Sequence, residues 1–527
     1  MSLPIQSARF QWGLALLTGV LLTFAFPLKF WSFEVPAGWQ GYAAWVAYAP
    51  LLLAACGQTL RRVALLTFVS ALLCFTGTIF WVVVAMVEYG GVPFWLSLLA
   101  LVLLAGLLAA FHAVAGVVAA WVVRGRPAAM LLLSFPLALT LLEWVRNGLF
   151  TGFPWSNLAY SQSRFVNLIQ LADLTGIYGL TLLLSASGAA LAWGVCAPSA
   201  GMWKRMLPLL GILLLTGGAH QYGTQRLAAL DAQPQQTLPV ALLQGNIPQS
   251  QKWLESNAQN IVGIYTRLSA QAHAQGAALV VWPEASVPNL LPDNLERLPE
   301  PIFSPSGPGV PHIVGVPTYD PLRSEAGEVV MHNSAFLVGS DGFIRGRYDK
   351  THLVPFGEYV PLRELLFFLG PVVQAVGTFE PGARLKPLTD GTYQYGVVIC
   401  YEDIFPEIAR GLAREGAQLL LNITNDAWYG PTSALQQHLD MAIFRAIETR
   451  LPVARAANTG ISAFVDAGGR TLATTRPWEE AVLTMPLPLA SLPSFYVKWG
   501  DVCVGISALI LLCLSLWTHH EQRKQPV

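Results

Sequence analysis

Apolar residues run without a single charged side chain through 11–28, 38–57, 63–87, 92–123, 128–142, 174–196 and 206–218, and once more through 502–518. A helix needs about 20 such residues, at about 1.5 Å of rise each, to cross a bilayer core. Charges are kept out of such stretches because each costs about 2.5–3.5 kcal/mol at a helix centre. The pattern therefore predicts eight membrane spans, with 128–142 and 206–218 the shortest. Between the seventh and eighth the period changes. Short, β-branched apolar runs recur at 240–243, 278–282, 313–316, 335–338, 395–399, 419–423 and 453–456, alternating with helix-like stretches, which predicts an α/β domain. One of those stretches, 433–450, places Leu435, Leu439, Ile443 and Ile447 four residues apart with no interior Pro or Gly. It is expected to be a helix packed on a sheet through that stripe.

The expected organisation is a membrane domain of about seven transmembrane helices at 1–218, a linker at 219–237 and an α/β domain at 238–497. A final transmembrane helix with a short tail follows at 498–527. Composition agrees. Of 527 residues, 54 % are hydrophobic and only 12 % charged, with mean hydropathy +0.49, against about 25 % charged for an average soluble chain. The charges are sparse before residue 218 and dense across the insert. With 31 basic and 31 acidic side chains the formal net charge is zero, so there is no basic face to recruit nucleic acid. Six scattered cysteines do not make a disulfide framework.

Orientation follows from the short loops, where Lys and Arg collect on the cytoplasmic side. Arg9, Arg61, Arg62, Arg124, Arg126, Lys204, Arg205, Arg523 and Lys524 fall on one side, against Lys29, Arg146 and Arg164 on the other. The insert is thereby expected outside the cytoplasm.

The insert contains one cysteine, Cys400, at the end of an apolar run and just before Tyr401, Glu402 and Asp403. Alone, such a thiol serves equally as a small buried hydrophobe. To react it needs a base and a nearby cation. Two other strand-like runs end on candidates: 280–284 closes with Trp282-Pro283-Glu284, and 347–350 closes with Lys350. A carboxylate, an ammonium and a thiol at three strand ends form the set that acyl transfer requires: base, oxyanion stabiliser and nucleophile. A dyad of Cys400 with His352 or His438 is the competing arrangement. No histidine shows metal-ligand spacing, and no glycine-rich phosphate loop is present, so neither a metal nor another cofactor is expected.

The residues around these positions carry a resemblance. W-P-E-A at 282–285, Y-D-K-x-H-L-V-P-F-G-E-Y-V-P at 348–361 and C-Y-E at 400–402 are similar to the nitrilase superfamily. With Q-G-N-I-P-Q at 244–249, T-N-D-A-W at 424–428, F-R-A-I-E-T-R at 444–450 and T-G-F-P-W at 151–155, nearly the whole chain resembles the apolipoprotein N-acyltransferase family. That resemblance implies an αββα sandwich on the periplasmic side of a bacterial inner membrane and a Glu284, Lys350, Cys400 triad. It also implies transfer of an acyl chain from a phospholipid, through a Cys400 thioester, to the α-amine of a diacylglyceryl-cysteine at an apolipoprotein N-terminus. Supporting roles are expected for Glu358 and Glu402, which are rivals for orienting the triad, and for the Tyr401 backbone N–H at the oxyanion. Trp253 is a candidate substrate contact.

One further feature needs no family. The run 365–373 contains Phe367 and Phe368, is too short and too interrupted by Gly370-Pro371 to span, and lies between Lys350 and Cys400. It reads either as core or as an arm entering the outer leaflet beside the site, where both phenylalanines would touch lipid. Two other functions compete: a membrane-tethered nitrilase-type amidohydrolase releasing the acyl group to water, and a transporter or receptor whose outer domain only binds and has no need of Cys400. In the membrane half, Glu143 and Arg146 lie one helical turn apart, close enough to pair.

Overall fold

Each apolar run becomes helical in the computed structural model, which describes residues 7–30, 33–35, 40–124, 130–196, 201–234, 236–300, 310–325, 330–359 and 379–523. Among the described residues, four helices are long and apolar enough to cross a membrane: Leu60–Thr78, Phe94–Val122, Tyr178–Cys196 and the apolar part of Val502–Arg523. The other runs give shorter or more polar helices. The first is Ala8–Phe24, the second breaks into Gln40–Val46 and Tyr48–Ala55, and the fifth, Leu131–Gly148, carries Glu143 and Arg146 on its last turns.

The segment expected as a linker is mostly helix. Met202–Asp231 continues unbroken through it, spanning about 45 Å at 1.5 Å per residue. Its exposed C-terminal half is fastened by Arg226, whose guanidinium lies 2.8 Å from Asp173. The connection to the first strand of the insert therefore shrinks to the few residues between Asp231 and Thr237.

That insert is two sheets face to face. One runs in the order Ala481–Pro488, Thr237–Gln244, Leu279–Val281, His312–Tyr319, Met331–Val338, Ile344–Asp349, with Leu291–Pro292 beside its fourth strand. The other runs Thr471–Thr474, Ala463–Val465, Val453–Ala457, Leu419–Thr424, Gln394–Ile399, Leu388–Thr389. Alternation along each strand separates the layers. Val240, Leu242, Val281 and Leu337 meet Val397, Ile399, Leu421 and Ala456 between the sheets, while Ala241, Leu243 and Val280 pack outward on Ile261, Tyr265 and Leu268 of helix Ala258–Ala274. The outer face of the second sheet carries Val398 and Leu420 under helices Pro406–Arg414 and Ala434–Thr449, in a core continuous with the membrane helices. The sandwich is αββα.

Helix Ala434–Thr449 differs from its expected one-sided burial: it is buried on every face, including Gln437, His438, Asp440, Arg445 and Glu448. The reason is its position between sheet and membrane half. Some of its polar groups find partners in the membrane half: Trp155 Nε1 donates to Gln437 Oε1 at 2.7 Å, Gln437 Nε2 donates to the Pro27 carbonyl at 2.9 Å, and Arg445 Nη2 donates to Tyr160 at 3.2 Å.

Candidate active site

Leu279–Val281 pairs in parallel with Thr237–Gln244 and with His312–Tyr319, and Gln394–Ile399 pairs in parallel with Leu419–Thr424. Parallel strands bring their C-terminal ends to one edge, where α/β proteins bind ligands. Glu284 and Cys400 sit just past such ends, and Lys350 follows Ile344–Asp349, which is antiparallel to its neighbour Met331–Val338 and so runs in the same direction as His312–Tyr319. The turns that deliver them are tight: Ala285 (φ 45°) and Cys400 (φ 52°) adopt left-handed backbone, as do Asn246 and Phe356 nearby. Each such residue costs of order 1 kcal/mol or more and persists only where its surroundings hold it. At the Pro283–Ala285 corner, Gly315 provides the space. A Cβ there would lie 2.3 Å from the Pro283 carbonyl oxygen.

Lys350, 1 % exposed, is held between two carboxylates: its Nζ lies 3.0 Å from Glu358 and 3.8 Å from Glu284 Oε1. Burial works against its charge, but the two carboxylates outweigh that and raise its pKa well above the ordinary lysine value. Glu284 is fixed at both oxygens, accepting from Asn333 Nδ2 at 2.8 Å and from the Asn425 backbone N–H at 2.8 Å. Asn333 Nδ2 also donates to Glu358 Oε1 at 2.9 Å, and the Val354 N–H donates to Glu358 Oε2 at 2.8 Å. Cys400, 8 % exposed, feels both neighbours. Burial pushes its thiol pKa up, Glu284 adds to the rise, and Lys350 opposes it. The resting sulfur is a thiol, so a base must take its proton during attack.

Glu358 and Glu402 have different places. Glu358 touches Lys350, whereas Glu402 ties the lysine loop to the cysteine turn. Glu402 Oε1 accepts from Tyr348 Oη (2.9 Å), Thr351 N (2.7 Å), Thr351 Oγ1 (2.8 Å) and His352 N (3.2 Å), and Oε2 accepts from Ile399 N at 2.7 Å. The Tyr401 side chain points away into the membrane half, its hydroxyl 3.5 Å from the Gly152 carbonyl. Trp253 stands at the surface, 52 % exposed. Phe367 and Phe368 lie outside the described residues.

The histidine dyads do not form. His438 spends both ring nitrogens on carboxylates, 2.7 Å from Asp403 and 3.1 Å from Asp426, and Arg455 bonds the same two aspartates at 2.9 and 2.8 Å. Its pKa is raised: burial and Arg455 press it down, and the two aspartates more than compensate. His352 lies against Phe405, ring centroids 3.8 Å apart, and burial lowers its pKa to about 4. In the membrane half, Glu143 and Arg146 hold the 155–158 segment between them. Glu143 accepts from Leu158 N (3.1 Å) and Thr181 Oγ1 (2.7 Å), while Arg146 donates to the Trp155 carbonyl (3.1 Å) and to Asn157.

Sequence reasoning missed Asn333, which sits inside a strand with no motif to mark it. Asn425 and Gln249, which hydrogen-bond to each other at 2.8 Å, lay within quoted motifs without being singled out.

Two family models match the chain. Residues 239–495 fit the carbon-nitrogen hydrolase domain and residues 18–190 fit the apolipoprotein N-acyltransferase N-terminal domain. Among curated relatives, an apolipoprotein N-acyltransferase of Geobacter metallireducens is 40 % identical over 517 residues, 94 % of each chain. One from Methylococcus capsulatus is 34 % identical over 503 residues, again 94 % of each. Of solved structures, an amidase from Nesterenkonia sp. AN1 aligns at 22 % identity and TM-score 0.37, over 52 % of this chain and 97 % of that one. Matched in both halves and along nearly its whole length, the chain belongs to the apolipoprotein N-acyltransferase family.

Proposed function

We infer that this protein is an N-acyltransferase that acylates apolipoproteins, using Glu284, Lys350 and Cys400. The observation that carries this reading is the buried Lys350 ammonium, clamped between Glu284 and Glu358 and acting on the Cys400 thiol. Glu284 accepts the thiol proton as the Cys400 sulfur attacks the ester carbonyl of a phospholipid. Lys350 and the Tyr401 backbone N–H stabilise the developing oxyanion. The ester C–O bond breaks, Glu284 returns the proton to the departing lysophospholipid oxygen, and a thioester remains on Cys400. The α-amine of a diacylglyceryl-cysteine then attacks the thioester, Glu284 takes the amine proton, and the C–S bond breaks to give the amide and restore the thiol. Two half-reactions through one covalent intermediate give ping-pong kinetics.

The distribution of basic residues among the short loops supports a catalytic domain on the periplasmic side of a bacterial inner membrane. Trp253, exposed beside the site, serves as a substrate contact. Release of the acyl group to water is the competing outcome. Incubating the purified protein with acyl-labelled phospholipid tests the reading. Label should appear on Cys400, be absent in Cys400→Ala, and discharge faster to a diacylglyceryl-cysteine peptide than to water. A protein that never acquires label overturns it.

A further inference from the structure

Lys252 belongs to no motif of the triad, yet it is 2 % exposed, and a buried ammonium requires a reason. It ends the short turn Gln249–Lys252, which follows the strand Thr237–Gln244 at the same sheet edge as Glu284. Its Nζ donates to the Glu284 backbone carbonyl at 2.9 Å. From the other end of the same turn, Gln249 Oε1 accepts from Asn425 Nδ2 at 2.8 Å, and the Asn425 backbone N–H holds the Glu284 carboxylate. One turn thus holds the Glu284 backbone directly and reaches its carboxylate through Asn425, next to the left-handed Ala285.

Charge gives the second argument. The buried centre sets two carboxylates, Glu284 and Glu358, against one ammonium, Lys350. The centre carries one negative charge in excess, and when the thiol proton passes to Glu284 that charge shifts onto sulfur in a low-dielectric space, which is costly without a further cation. Glu284 and an ionised Cys400 pull on Lys252, and Glu284, Lys350 and Asp426 act on Cys400. Burial lowers the Lys252 pKa to about 8, against the pull of Glu284 and Cys400, so it still carries a proton at neutral pH.

We propose that Lys252 is a positioning residue and the second buried cation of the site, holding the Glu284 corner and offsetting the charge that develops on Cys400. This rests on the acyltransferase reading for its purpose, but its test does not use acyl transfer. The full-length protein in detergent is alkylated with iodoacetamide across pH 6–10, and modification of Cys400 is followed by peptide mass spectrometry. Lys252→Met should slow Cys400 alkylation at pH 7.5 by about tenfold and move its pH inflection upward. Lys252→Arg should restore both. Lys252→Gln keeps a donor for the Glu284 carbonyl and loses only the charge, so it reads the electrostatic part alone and carries the test if Lys252→Met does not fold. A wild-type inflection in the folded neutral variants would overturn the proposal. If Cys400 alkylates as expected but no variant, wild type included, takes acyl label from phospholipid, the acyltransferase reading fails while the role of Lys252 stands.

Discussion

One amide group bridges two carboxylates: Asn333 Nδ2 lies 2.8 Å from Glu284 Oε1 and 2.9 Å from Glu358 Oε1. With Lys350 on the same two side chains, each acid is oriented by shared donors. Asn333→Leu removes the bridge and leaves two buried carboxylates to repel each other. Formation of the acyl-enzyme is expected to fall about 100-fold, in line with losing a group that orients a catalytic base. Rapid-quench labelling of Cys400 checks this; a variant that labels at the wild-type rate would show that Lys350 suffices.

Glu402 joins two loops rather than touching the thiol. Glu402→Gln replaces an acceptor-only carboxylate by an amide that turns one NH2 toward N–H or O–H donors. The variant should lose about 3 kcal/mol of stability, the upper range for leaving buried hydrogen-bonding groups unmet. Its Tm in detergent should drop together with activity, whereas Glu358→Gln should lose activity with a smaller change in Tm. Equal Tm losses would contradict this division between the two acids.

The architecture was legible in the sequence where hydropathy or period decided it. The eight apolar runs all became helical, and the strand-like runs ending at Glu284, Lys350 and Cys400 did become strands that deliver those residues to one edge. What escaped depended on tertiary neighbours. The four-residue stripe of 433–450 revealed a helix but not its burial on every side, because the partners of Gln437 and Arg445 come from Trp155 and Tyr160, almost 300 residues earlier in the chain. The supposed linker lacked the hydropathy of a span, yet helix formation there needs only compatible residues and the anchor of Arg226 on Asp173. Asn333 was invisible because a lone amide in a strand carries no signal until two carboxylates close on it.

Asp440 is expected to make the contact between the halves pH-dependent. It lies beside Phe26, Trp155, Tyr160 and Met441, accepts from Gln436 Nε2 at 2.9 Å, and burial raises its pKa to about 7 from an ordinary 3.8. A carboxyl raised in the folded state binds its proton more tightly there than when unfolded. Its contribution is therefore most favourable below about pH 4 and is lost as pH rises toward 7. Asp440→Asn keeps the acceptor and removes the titration. Its Tm should exceed that of the wild type by a few degrees at pH 8, and the gap should close by pH 4–5. An unchanged gap across that range would assign the stabilisation to something other than the proton.

Arg450 shows how the two halves are held in register. It ends helix Ala434–Thr449 in left-handed backbone (φ 57°), is fully buried, and reaches into the membrane half, where Nε and Nη2 lie 2.9 and 2.7 Å from Asp173 Oδ2 and Nη1 donates to Gln170 at 2.5 Å. Asp173 is also held by Arg226 and by Tyr222 Oη at 2.5 Å. Removing one member of a buried pair strands the other, at about 3–5 kcal/mol. Arg450→Leu strands Asp173 only in part, since Arg226 and Tyr222 remain; Asp173→Leu strands both arginines. Asp173→Leu is therefore expected to be the more destabilising single variant. The double variant Arg450→Leu/Asp173→Leu should be less destabilised than the sum of the two, by about 0.5–3 kcal/mol. Denaturant unfolding of the four proteins in detergent, followed by circular dichroism, measures the coupling. Strict additivity would mean that Arg450 contributes through packing alone and that the docking of the catalytic domain does not depend on this ion pair.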